Sequence, residues 1–171
     1  MGKDQINLNK KFKEGKNYKV TKNGLIATKI GENKWDCVVL GDKEIPKNRI
    51  SKWKIKINKN KTHKGNIDIA IGIGPKLFKD SLYNECWSIV SVISEIKLYL
   101  KEKELYYNNL RATMKEGDIF EVIVDRKLGN LSFSVNDVNY GIACSEIPKD
   151  EILFPTVVLY ERGIEVELVS I

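Results

Sequence analysis

Histidine is nearly missing from this chain: His63 is the one imidazole in 171 residues. Ser–His–Asp or Cys–His catalysis would have to rest on that single ring, set in the loop-like stretch KNKTHKG. Cysteine is sparse too. Cys37, Cys86 and Cys144 are odd in number, far apart and in apolar surroundings, with no CxxC. That excludes a disulfide framework and a zinc site of ordinary spacing, and predicts reduced, buried thiols in a cytoplasmic protein. No apolar run reaches 18 residues, so no helical membrane span is expected. MGKDQINLNKKFKEGK lacks an apolar core, so no signal peptide is expected, and the sequons at Asn60 and Asn130 then carry no meaning.

Other absences remove further chemistry. There is no Walker A loop, and Gly72-Ile73-Gly74 lacks the third glycine and following helix of a dinucleotide site. Glu165 and Glu167 share a strand face, but no third acid follows in register. A glycosidase on a β-sandwich needs two carboxyl groups about 5–9 Å apart. No catalytic residue, cofactor or metal is expected, and the chain reads as a non-enzyme.

What is present fits one domain. A chain of this size buries roughly 70% of its unfolded surface and needs no metal or disulfide. The net charge of +6 hides a split. Residues 1–65 hold 18 basic and 6 acidic residues, a net +12, and the remainder carries a net −6. The basic half invites nucleic-acid or anionic-lipid binding, and the wealth of Lys, Ile and Asn also fits a composition bias on solvated faces.

Residues 1–17 read as a loosely ordered basic arm or a first strand, and 18–171 as a single domain. YKVTKNGLIATKI reads as two strands around an Asn23-Gly24 turn. KWDCVVL, Lys34 to Leu40, reads as a buried strand. In SKWKIKI, Trp53, Ile55 and Ile57 alternate with Lys52, Lys54 and Lys56, as in a half-buried strand. NIDIAIGIG and CWSIVSV read as strands, and EIKLYLKEKELYY as two short ones. Ile93, Ile96 and Leu100 fit helical spacing, but the β-branched residues Val90, Val92 and Ile93 favour a strand. In the tail, Ile164, Val166 and Leu168 oppose Glu165 and Glu167. The Lys-faced and Glu-faced strands are expected to be sheet neighbours, making part of the charge split internal. About 11–13 strands without a repeat predict an all-β sandwich of two antiparallel sheets.

Gly117 to Pro155 is the most regular region. Phe120, Val122 and Val124 alternate inward, Asp125 closes the strand, and Arg126 to Asn130 turn the chain with Gly129 at positive φ. Leu131, Phe133 and Val135 return, Asn136-Asp137 turns again, Gly141 allows a bulge or close packing, and Pro155 sits at the start of a fourth strand. With Gly117-Asp118, Leu131-Ser132-Phe133, Gly141-Ile142-Ala143, Leu153-Phe154-Pro155, Trp53, Ile71-Gly72-Ile73 and Trp87, this pattern resembles the SPRY domain family over residues 50–171, and more loosely over 18–49. The pattern departs from that family in having Asn136-Asp137 where Asn-Gly is common, and no PRY-type segment precedes it.

The resemblance implies a bent, concanavalin-like β-sandwich that binds protein. The partner would be a short peptide or exposed loop, held by inter-strand loops. A place in the substrate-recognition part of a ubiquitin-ligase or signalling assembly is also implied. The candidate site residues are Asn66 at the mouth of a strand, suited to bond a peptide backbone, Tyr83 in the loop after Gly74-Pro75, where the resemblance implies a ligand-facing loop, and Tyr160, Glu161 and Arg162 at the tip before the last strand, where the resemblance implies an aromatic anchor and Arg162 suits an acidic ligand. Phe78 or Tyr83 could instead cap the sandwich end. The expected state is a monomer. Nucleic-acid or anionic-lipid binding, or a carbohydrate-binding sandwich, is the alternative.

Overall fold

The computed structural model describes residues 5–8, 11–59, 67–76, 78, 85–92, 95–107 and 114–169. His63, Asn66 and Tyr83 lie outside them.

Fourteen strands are named, and they form two sheets. The larger sheet holds β1 (Gln5–Asn7), β2 (Tyr18–Thr21), β3 (Ile26–Lys29), β5 (Ile50–Lys59), β10 (Ile119–Asp125), β11 (Asn130–Val135), β12 (Val138–Cys144) and β14 (Glu165–Val169). Its order is β12-β11-β10-β5-β14-β3-β2. The smaller sheet holds β4 (Cys37–Leu40), β6 (Ile69–Pro75), β7 (Trp87–Val92), β8 (Glu95–Leu100), β9 (Lys103–Leu105) and β13 (Leu153–Leu159). Its order is β4-β13-β6-β7-β8-β9. The architecture is the expected all-β sandwich, with every pairing antiparallel except β1 on β5.

The count exceeds the expected 11–13 because a piece of the basic arm is a strand. β5 is 10 residues long, and β14 reaches only as far as its Lys54. The free backbone groups of residues 50–52 need partners, and β1 supplies them in register Gln5↔Ile50 to Asn7↔Lys52.

Alternation places the core between the sheets. Trp53, Ile55 and Ile57 of β5 meet Phe120, Val122 and Val124 of β10 and Leu131 and Phe133 of β11, all of them buried. Ile69, Ile71 and Ile73 of β6, with Val157 and Leu159 of β13, face them from the smaller sheet. Gly72 is obligatory: a Cβ there would lie 2.0 Å from the Trp87 carbonyl oxygen on β7. β8 is a strand, with Leu98 inward at 2% exposure, so the β-branched preference prevails over the helical spacing.

Two boundaries differ from the sequence reading. Pro155 is the third residue of β13, and not at its start. It is tolerated because the β4 ladder begins one residue later, at Thr156↔Leu40. At Pro155 only one bond crosses, from Gly41 N–H to the Pro155 carbonyl at 2.9 Å. The strand expected from Lys34 begins at Cys37, which frees Trp35 for the loop before it.

Lys-faced β5 and Glu-faced β14 are neighbours, with Glu167 opposite Lys56 and Val169 opposite Lys54. The closest charge contact comes from elsewhere: Lys22 holds Glu167 at 2.8 Å, and Asn58 donates to both Glu165 and Glu167. The lysine stripe is thus interleaved with acids from β10 and β14. Among the described residues no helix is long and apolar enough to cross a membrane.

Candidate functional site

At one end of the sandwich, residues 30–36 (between β3 and β4) meet residues 160–164 (between β13 and β14). The tie is dense. Lys34 N–H donates to the Tyr160 carbonyl at 3.0 Å, Gly163 N–H to the Lys29 carbonyl at 2.9 Å, and Arg162 N–H to Asn33 Oδ1 at 2.8 Å. The rings of Trp35 and Tyr160 meet at 5.3 Å with a tilt of 51°, and both are half-buried.

A buried lysine sets the first loop. The Lys29 side chain is 0% exposed, and its Nζ lies 2.9 Å from Asp36 Oδ1 and donates to the carbonyls of Glu32 (2.6 Å) and Ile30 (3.3 Å). Asn17 adds a bond from Nδ2 to the Asp36 carbonyl at 2.8 Å. An ammonium in an apolar wall needs such partners, and here they curl residues 30–36 over the sheet end. Trp35 then covers a second apolar cluster of Ala70, Cys86, Val90 and Val158 on the outer face of the smaller sheet, together with Val38, Phe78 and Tyr99.

The register Leu159↔Ile69 brings Asp68 alongside the Tyr160–Glu161 turn. Burial, and next the Asp68 charge, raise the Glu161 carboxyl above its ordinary value. Glu161 is half-buried and forms no ion pair among the described residues, whereas Lys34 pairs with Glu32 at 2.9 Å. Arg162 is exposed at the tip.

The structure therefore brings Tyr160, Glu161 and Arg162 together and adds Trp35 and Asp68, which the sequence reading had placed in strands. Asn66 and Tyr83 lie outside the described residues. Ile67 and Asp68, which follow Asn66 in the chain, are at the Tyr160 end. Pro75 and Trp87, which flank the Tyr83 segment, are at the far end of β6, about 20 Å away by strand rise. Phe78 lies against the outer-face cluster. The available signal for Trp35 was the Gly31–Asn33 turn chemistry just before it.

The Neuralized family model matches residues 12–170. The chain belongs to the Neuralized family. The SPRY resemblance holds as well: the SPRY domain of human HERC1 is similar at 20% identity and TM-score 0.72, covering 90% of this chain and 92% of that one. A human SPRY domain is 19% identical over 93% of this chain and 96% of that one, with TM-score 0.64. The Drosophila melanogaster neuralized-NHR1 domain is 14% identical over 94% and 98%, with TM-score 0.59. At such identities the likeness is one of fold. No curated protein sequence matches this Neuralized-family chain. Domains of the SPRY and Neuralized type are in general protein-interaction modules.

Proposed function

We propose that this Neuralized-family domain docks a short peptide or exposed loop of a partner protein on the inter-strand loops where Trp35 meets Tyr160. The observation that carries this reading is the half-buried ring pair at 5.3 Å, held by loops that are tied to each other through backbone bonds. Rigid aromatic area costs little entropy on binding and commonly anchors interfaces. Glu161 and Arg162 supply a charged rim, and Asn66 belongs to the segment that leads into Asp68. We take the domain to act as a monomer, and its three free, buried cysteines fit a reducing, cytoplasmic compartment. Its place is the substrate-recognition part of a ubiquitin-ligase or signalling assembly.

The test is selection of a random displayed-peptide library on the full chain. Selected peptides should lose at least tenfold in affinity on Tyr160→Ala, with the melting temperature held within a few degrees. Undiminished binding to Tyr160→Ala and to Arg162→Ala would remove this end of the sandwich as the site.

A further inference from the structure

The proposed docking surface has a chemical preference, and this inference rests on that reading. Its floor is the tilted ring pair of Trp35 and Tyr160. Its edge is the Glu161 carboxylate, with Asp68 on the adjoining strand end. Among the described residues, Lys29 is held by Asp36 and two carbonyls, and Lys34 pairs at the surface with Glu32. Arg162 forms no ion pair with Glu161.

We propose that this surface takes a lysine or arginine side chain of the partner segment, its stem or plane against Trp35 and Tyr160 and its charge on Glu161. The chemistry is complementary on both counts. Aromatic faces attract a cation through the ring quadrupole. A half-buried carboxylate gains a charge-assisted hydrogen bond that water supplies poorly there. The unfavourable environment of Glu161, created by burial and by Asp68, is relieved when the cation arrives. A guanidinium fits better than an ammonium, because it can stack on a ring and fork to a carboxylate at once.

The test compares displayed-peptide selections on the full chain and on Glu161→Gln. Peptides selected by the wild-type chain should be enriched in Lys or Arg at one position, and those selected by Glu161→Gln should not. Replacing that residue by norleucine should weaken wild-type binding at least tenfold and leave Glu161→Gln binding unchanged. Peptides that depend on Tyr160 yet show no basic enrichment overturn the inference and leave the docking reading standing. Absence of any Tyr160-dependent peptide overturns both. A melting temperature lowered by Glu161→Gln, with an unaltered peptide selection, shows that the chain's own lysines hold the carboxylate and also overturns the inference.

Discussion

Asn136 and Asp118 tie the two strands of the β10–β11 hairpin together at its open end, where Asn136 also begins the turn into β12. Asn136 donates Nδ2 to Asp118 Oδ1 at 2.9 Å, and its Oδ1 accepts the Ile119 N–H at 2.9 Å. Asp118 Oδ2 in turn accepts the Lys115 N–H at 2.7 Å. Asn136 and Asp137 both have positive φ, at 49° and 67°, so this turn works without the usual glycine. Asn136→Ala loses both side-chain bonds and strains the backbone. It should cost about 1–3 kcal/mol in urea unfolding. Asn136→Gly keeps the φ and should cost less.

Tyr107 completes a broken ladder. At the β11–β12 bulge its hydroxyl accepts the Phe133 N–H at 3.2 Å and donates to the Gly141 carbonyl. Tyr107→Phe should cost about 1–3 kcal/mol, since it leaves two backbone groups unpaired in a largely buried place. Hydrogen exchange should quicken at the Phe133 amide and leave the β5–β10 amides slow.

Lys29→Met keeps the apolar stem and removes the charge that gathers Asp36, Ile30 and Glu32. A loss of about 2–4 kcal/mol is expected, below that of a fully buried pair because Asp36 is 38% exposed. Trp35 emission should shift to the red as its loop loosens. Trp53 and Trp87 are buried and give a steady background.

Glu161 gives a pH signature. Its carboxyl is raised in the folded state, so the folded chain binds that proton more tightly than the unfolded chain does. Its contribution to stability is therefore lost as pH rises through the carboxylate range. Glu161→Gln should melt no lower than wild type at pH 7, and the two melting curves should converge at about pH 3. A variant that melts lower at pH 7 and equally at acid pH contradicts the assignment.

The thiols offer a further check. Burial raises Cys37 to about 12 and Cys86 well above the ordinary thiol value. Neither should react with a disulfide reagent at pH 8 until the chain is unfolded, and the rate should follow denaturant.

The strands were legible because period-two alternation is local: Trp53-Lys54-Ile55-Lys56-Ile57 declares its two faces unaided. Gly129 at φ 76°, with a Cβ there only 3.0 Å from the Ile147 carbonyl, was legible for the same reason. What stayed hidden depends on contacts far apart in sequence. Lys29 resembles any solvated lysine until residues 30–36 fold back around it. Arg126 reads in sequence as a turn residue, yet it is 1% exposed, and its guanidinium donates to the carbonyls of Ile45, Pro148, Lys149 and Glu151. Trp35 reads in sequence as part of a strand because an apolar run follows it, and its meeting with Tyr160 spans 125 residues of chain. The motif residues identified the fold because they build it, which is also why they could not name a ligand.

β13 and β14 are the last two strands in sequence, and each lies inside a sheet: β13 between β4 and β6, β14 between β5 and β3. Until residues 153–169 have been synthesised, neither sheet is whole. Until then one edge of β6, and one edge of β5 over residues 54–59, wait unpaired, and both sheets close only when β13 and β14 arrive. Such non-local pairing makes for slow folding and a long interval of exposure to aggregation. Loss of residues 153–169 would remove an inner strand from each sheet in one stroke, leaving no intact half to persist.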